Sequence, residues 1–310
     1  MRVLRQIGEL GSIGEAIHLA IGVFDGIHLG HQAVIHAAID SARREGGVPV
    51  VVTFAPHPMA VLRPEAAPRL LASLAHQQKI LEALGIEYLL VVEFDEGFAA
   101  QEAGQFIDQL ASACQPLKQI CVGAEWRFGR GRGGDVALLE RMGSELGFSV
   151  TGVEPVTSTD GEVISSTLVR RAVRDGELER AKALLGRDYT VLGDVVEGRK
   201  LGRTIGFPTA NLAVHSEQLP PSGVYAVRVE LDDGTTLRGV ANLGTRPTVD
   251  PEGAKRLLEV HLFQFDRQIY GRAMEVWFER FLRGEQKFDS VEALRKQITI
   301  DVEQAKATNG

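Results

Sequence analysis

The stretch Gly22-Val23-Phe24-Asp25-Gly26-Ile27-His28-Leu29-Gly30-His31 limits what this chain can become. An apolar run, Ile17 to Ile21, precedes it, and a helical pattern, Ala33 to Ala42, follows. A buried strand therefore enters a glycine-rich turn, and the turn opens a helix. That geometry gathers backbone N–H groups and the positive end of a helix dipole at one point. His28 and His31 stand three residues apart in the same place. Such a turn suits nucleotide phosphates, with the histidines in contact. Zinc ligation, for which no third ligand is evident, and ordinary structural histidines are the alternatives.

The alternation continues along the first half. Val48 to Phe54 reads as a strand buried on both faces, followed by a helical pattern from about Ala72 to Leu84 that ends at Gly85. Ile86–Phe94 is the next strand and Phe98–Leu110 the next helix. Leu117–Val122, Val136–Leu146 and Phe148–Val153 complete the series as strand, helix and strand. Strands separated by helices predict a parallel sheet, with ligands beyond the carboxyl ends of the strands. Three unusual loops follow strands: Gly22–His31, Ala55-Pro56-His57-Pro58, and Gly123–Asp135. The last holds three arginines and five glycines, the composition of a segment that closes over an anionic or planar ligand, or of a solvated loop.

With 310 residues, two domains are expected. Hydrophobic residues make up 44% and charged residues 24%, an ordinary globular balance. A net charge of −7 offers no general attraction for nucleic acid or anionic membrane. Two cysteines are too few for a disulfide framework or a thiolate zinc site. Glu9 and Glu15 interrupt any apolar stretch that would serve as a secretion signal, and no run approaches the roughly 20 apolar residues of a membrane helix. A soluble cytoplasmic protein is the expectation.

The period changes near residue 186, where a short helical pattern ends in Gly186. Tyr189–Glu197, Gly223–Leu231, Thr236–Asn242, Leu257–Phe265 and Ala273–Phe281 read as strands, and Asp232-Asp233-Gly234 as a hairpin turn. Several strands with one closing helix, about Val291 to Ala305, predict an antiparallel barrel. Asp289 and Glu292 have the spacing of a capping box for that helix. Residues Gly198 to Leu212 form a glycine-rich stretch in which Thr209 and Asn211 offer neutral oxygens to a hard cation. Taken alone it reads first as a glycine-rich hairpin. In Leu257–Phe265, alternation places Glu259 on the face of Phe263, opposite Val260 and Leu262.

Two sets of motifs then occur in order along nearly the whole chain. Phe24-Asp25-Gly26-x-His28-x-Gly30-His31, Thr53-Phe54-x-Pro56-His57-Pro58 and Ile164-Ser165-Ser166-Thr167 resemble a flavin adenylyltransferase module, within the nucleotidylyltransferase superfamily. Gly206-Phe207-Pro208-Thr209-Ala210-Asn211, Pro221–Ala226, Gly239–Thr248, Glu259-Val260-His261 and the segment from Phe281 through Phe288 are similar to riboflavin kinases. The chain closely resembles the prokaryotic bifunctional riboflavin kinase/FAD synthetase family.

That resemblance implies an α/β plus β fold: a Rossmann-like parallel-sheet nucleotidylyltransferase domain over 1–186, then an antiparallel β-barrel with a C-terminal helix over 187–310. It implies that ATP and Mg²⁺ convert riboflavin to FMN, releasing ADP, and that a second ATP converts FMN to FAD, releasing pyrophosphate. In the first module, ATP meets Gly22, Phe24, Asp25, Gly30, His57, Ser165, Ser166 and Thr167, with His28, His31 and Arg170 catalytic. In the second, ATP and Mg²⁺ are held at Thr209 and Asn211 with Gly198 and Gly202 alongside, and Glu259 is the base for the riboflavin hydroxyl. Flavin contacts fall on Asn242, Arg283 and Glu285, and on Glu125, Arg127 and Asp135. Here Glu125-Trp126 replaces the family's usual Asp-Phe, a change that can shift flavin affinity. Rival readings are one working module beside a retained binding domain, a non-catalytic flavin carrier, and a tRNA enzyme suggested by His-x-Gly-His alone. Oligomeric state is not legible in the sequence.

Overall fold

The structure, a computed structural model, describes residues 1–198, 202, 205–215, 218–245 and 256–307. The chain divides into two compact units, Met1–Arg69 with Leu74–Leu168, and Leu70–Ser73 with Val169–Gly310.

The first unit is built on a six-stranded sheet of β1 (Arg2–Leu4), β2 (Ile17–Ile21), β3 (Val48–Ala55), β4 (Tyr88–Glu93), β5 (Leu117–Gly123) and β6 (Ser149–Val153), in the order β1-β4-β3-β2-β5-β6. Every pairing is parallel. The helices are α1 (Leu29–Glu45), α2 (Pro58–Leu62), α3 (Leu74–Ala83), α4 (Glu96–Ala99), α5 (Ala103–Ala113), α6 (Val136–Leu146) and α7 (Ser166–Asp175); α7 begins in this unit and ends in the second. Alternate strand residues bury opposite faces. Leu19, Ile21, Val50, Val52 and Ile120 join Phe106, Ile107 and Leu110 of α5 in one cluster. Ala20, Val51, Leu89 and Cys121 join Val34, Ile35, Ala38 and Ile39 of α1 in the other. Each large side chain contributes about 1.5–3 kcal/mol of apolar burial, so both strand faces must be covered.

The chain leaves β2 toward β3 and β4 on one side and returns to β5 and β6 on the other. The direction of winding therefore reverses beside β2, which is where an open α/β sheet leaves a crevice at the carboxyl ends. Gly22–His31 follows β2 into that position.

Two local features differ from the sequence expectation. The edge strand β1 has too few residues for alternation to show, and it exists because it pairs with β4. The helix expected over Phe98–Leu110 is broken. Asp95 caps α4 by accepting from the Phe98 N–H at 2.7 Å, and a Glu102–Gln105 capping box restarts the chain as α5.

The second unit opens with the end of α7 and with α8 (Leu178–Leu185), then forms a closed barrel of β7 (Thr190–Val196), β8 (Ala210–Val214), β9 (Gly223–Leu231), β10 (Thr236–Thr245), β11 (Arg256–Leu262) and β12 (Ala273–Arg283), in the order β10-β11-β8-β7-β12-β9. Its ladders are antiparallel. Val191, Leu212, Tyr225, Val227, Leu243, Leu258, Val260 and Val276 fill the interior. Strand β8 completes the barrel from within the stretch that reads alone as a glycine-rich hairpin. It is short and carries Asn211, so pairing to β7 and β11 rather than local propensity makes it a strand. The C-terminal helix, Val291–Lys306, sets Val302 and Ala305 on Val224, Ala226 and Val240 of the outer barrel face. Its N-cap is Ser290, accepting from the Ala293 N–H at 3.1 Å, one residue beyond the expected Asp289.

Candidate active sites

In the first unit, His28 is the N-cap of α1. Its Nδ1 accepts the His31 N–H at 3.3 Å, which in a neutral imidazole puts the ring proton on Nε2. The His31 ring stacks on that of His28, with centroids 3.6 Å apart and planes 20° from parallel. Phe24 meets His31 edge-on at 5.3 Å. Ile27, directly before His28, has φ of 42°, a region that costs a β-branched residue roughly 1–3 kcal/mol. The strain is held by complete burial of its side chain, and it turns the backbone so that His28 caps the helix.

The other residues expected here take different roles. Gly22 lies against the Phe24 ring, where a Cβ would come within 3.1 Å, and a Cβ on Gly30 would come equally close to the His28 ring. Phe24 and Asp25 are buried and support the turn from below. The Ser166 hydroxyl donates to the Asp25 carbonyl at 3.0 Å, which ties the start of α7 to the turn across 141 residues. Ser165 accepts the Leu168 N–H at 3.3 Å, Thr167 is exposed, and Arg170 lies half-buried one turn further along α7. His57 caps α2, accepting the Met59 N–H at 3.1 Å, at the carboxyl end of β3.

The loop after β5 is folded. Phe128 and Gly134 pair as a bridge, Arg130 forms an ion pair with Glu102, and its N–H donates to the Gln101 carbonyl at 2.8 Å. Asp135 caps α6, accepting from the Leu138 N–H at 2.9 Å. Glu125 and Arg127 are exposed. Trp126 stacks on Phe128 at 4.3 Å and 12°, so the substituted tryptophan is engaged by the protein itself.

In the barrel, strand register assembles a site that sequence spacing does not reveal. Asn211 pairs with Glu259, Glu259 with Asn242, Asn242 with Val224, and Val224 with Arg283. These residues form one row across β8, β11, β10, β9 and β12 on the outer face of the barrel, and all line one cavity of about 530 Å³. Leu258, Val260 and Leu262 are buried while Glu259 points the other way, as alternation predicted. Directly opposed partners in such ladders sit roughly 4.5–5.5 Å apart at Cβ. Glu259 therefore has a carboxamide on each side. Thr209 and Gly202 line the same cavity, and Glu285, exposed at its rim, reaches over Gly244, where a Cβ would meet its Oε1. A Cβ on Gly198 would overlap the Asn211 carboxamide.

Asn211 is buried, and its Oδ1 has no hydrogen-bond partner among the described residues. A buried acceptor of this kind costs about 1–3 kcal/mol, and a hard cation satisfies it. No cluster of three His, Cys, Asp or Glu side chains that could hold a metal occurs among the described residues, and Thr209 lines the same cavity as a second neutral oxygen. On this test the donor set fits Mg²⁺.

A family model described as FAD synthetase matches residues 12–168, and one described as riboflavin kinase matches residues 185–309. The chain is 41% identical to the bifunctional riboflavin kinase/FMN adenylyltransferase of Escherichia coli K12 over 303 residues, covering 97% of this chain and 96% of that one. This chain belongs to the bifunctional riboflavin kinase/FMN adenylyltransferase family. The family member from Haemophilus influenzae is 39% identical, with 99% of each chain covered, and that from Bacillus subtilis 38%, with 93% of this chain and 90% of that one covered. A crystal structure described as a macrolide-efflux protein from Streptococcus pneumoniae superposes with a TM-score of 0.84 at 32% identity over 99% of both chains. It shares the two-unit architecture of this chain. No helix among the described residues is long and apolar enough to cross a membrane.

Sequence reasoning missed three features of the kinase-family cavity. Asp301 reaches it from the C-terminal helix, and Phe207 and His261 form its wall, edge-on at 5.4 Å, with His261 Nδ1 2.8 Å from the Pro208 carbonyl oxygen. Asp301 did leave a signal, a carboxylate inside the apolar stripe Leu294, Ile298, Val302 and Ala305.

Proposed function

We propose that residues 187–310 phosphorylate riboflavin with ATP and Mg²⁺, and that residues 1–186 adenylylate the resulting FMN. The observation that carries this reading is the row Asn211–Glu259–Asn242 on three adjacent strands, opening into a single cavity. A primary alcohol is a poor nucleophile until its proton is accepted, and Glu259 is the carboxylate at the centre of that row. The Glu259 carboxylate takes the proton of the riboflavin 5′-hydroxyl as its oxygen attacks the γ-phosphorus of ATP, and ADP leaves. Thr209 and Asn211 hold Mg²⁺, which neutralises phosphate charge, while the glycines at 198 and 202 leave room for ATP. Asn242, Arg283 and Glu285 contact the flavin.

The adenylyl step needs no base, because the FMN phosphate is already anionic when it attacks the α-phosphorus of ATP. Catalysis there is positioning and charge neutralisation. The first backbone N–H groups of α1 and the Nε2–H of His28 serve the phosphates, joined by His31, His57 and Arg170. Gly22, Phe24, Asp25, Gly30, Ser165, Ser166 and Thr167 shape the ATP turn; Glu125, Arg127 and Asp135 border the flavin side. Pyrophosphate leaves and FAD forms. We place the protein in the cytoplasm.

Incubation with riboflavin, ATP and Mg²⁺, followed by chromatographic separation of the flavins, tests both halves. FMN and then FAD are expected. FMN accumulating without FAD refutes the adenylyltransferase assignment, and FAD formed from supplied FMN but never from riboflavin refutes the kinase assignment.

A further inference from the structure

We propose that Asp301 is a positioning residue for the kinase step, fixing Arg283 along the flavin side of the barrel cavity and thereby setting affinity for riboflavin. This rests on reading that cavity as the kinase site.

Arg283 ends β12 and closes the row that begins at Asn211. Its guanidinium meets Asp301 as a fork: Nε to Oδ1 at 2.9 Å and Nη2 to Oδ2 at 2.8 Å. Gln297, one turn earlier on the C-terminal helix, donates to Oδ1 at 2.9 Å. Nη1 donates to the Gly284 carbonyl at 2.9 Å, and the guanidinium lies 5.8 Å from the centre of the Phe288 ring. Of the five guanidinium N–H groups these contacts take three, which leaves one on each terminal nitrogen for the cavity. Both Arg283 and Asp301 line it.

Asp301 is 1% exposed. Removing two charges from water is costly, and an apolar pair of similar size usually serves stability as well or better. Simple anchoring of the helix therefore needs no such pair, since Val302 and Ala305 already bury its face. What only a carboxylate supplies is a planar two-point acceptor that fixes how the guanidinium faces. With the fork closed, Arg283 presents its remaining N–H groups as a preorganised donor pair, so substrate need not order a long side chain on binding.

Kinetics of FMN formation on the full-length protein test this. In Asp301→Asn one acceptor oxygen becomes an NH₂ facing an arginine N–H. The expected result is a riboflavin KM raised on the order of tenfold or more, with kcat within about threefold. FAD formation from supplied FMN stays at the parent level. Asp301→Glu keeps the carboxylate and lies closer to the parent. Because Asp301 acts through Arg283, Arg283→Gln and Arg283→Gln/Asp301→Asn share one KM. An unchanged KM in Asp301→Asn, a loss confined to kcat, or a double variant worse than Arg283→Gln overturns the proposal. If Arg283→Gln is insoluble, the split between KM and kcat in Asp301→Asn, measured well below its melting temperature, decides alone. A Glu259→Gln variant run alongside separates the two levels of inference. If it retains FMN formation, the cavity is not the kinase site and the proposal falls with that reading. If it loses FMN formation while Asp301→Asn keeps its KM, only the positioning role is refuted.

Discussion

Glu259→Gln isolates the proton acceptance proposed for Glu259 from its shape and its place in the row. Gln has nearly the same shape, and the carboxamides of Asn211 and Asn242 on either side already show that the row accommodates such groups. The interior of the barrel is untouched, because Leu258, Val260 and Leu262 point the other way. The loss is therefore the general-base contribution, about 10²–10⁴ in rate, which corresponds to about 2.7–5.4 kcal/mol at the transition state. It falls on kcat, with the riboflavin KM within about threefold, since the substituted atom acts on the proton in flight more than on bound riboflavin. Chromatographic measurement of FMN formed from riboflavin reads the first effect, and FAD formed from supplied FMN serves as the internal control. A rate of FMN formation within about fivefold of the parent, with circular dichroism unchanged, refutes the assignment of Glu259 as base.

His28→Ala removes both the cap of α1 and the phosphate donor proposed here; FAD formation from FMN should fall about 10²–10³-fold while FMN formation persists, and loss of the cap should cost about 1 kcal/mol in thermal unfolding. Gly198→Ala places a Cβ into the Asn211 carboxamide, so FMN formation should drop at least tenfold while FAD formation from FMN stays normal. Burial pushes the Cys114 and Cys121 thiols up from 9.0 to about 12. Both stay protonated in the folded state, so iodoacetamide at pH 8.5 should label neither until guanidinium unfolds the protein. The stability they support is complete below pH 9 and is lost as pH rises through about 12, and a melting temperature flat across that window contradicts this.

Wherever a single element carries its own periodicity, the sequence was sufficient. The β2–turn–α1 unit, the parallel first half and the change of period near 186 follow from apolar spacing and glycine punctuation. Alternation alone put Glu259 opposite Val260. Elements that exist only by pairing were not legible. Strand β1 needs β4, and β8 needs both β7 and β11, so neither has a local signal strong enough to read. The pattern over Phe98–Leu110 looked continuous because two capped helices share an apolar face.

The amino-acid order by itself determined the chemistry on offer: a histidine pair at a helix start, neutral oxygens at 209 and 211, and a carboxylate at 259. It also determined two folding regimes, because the period of burial is a local property of the chain. Only the tertiary structure decided which of these groups meet. Asn211, Glu259, Asn242 and Arg283 are spread over more than seventy positions, and barrel register brings them into one row. The same closure set Asp301 against Arg283, because a carboxylate inside an apolar stripe finds its partner only when the helix docks.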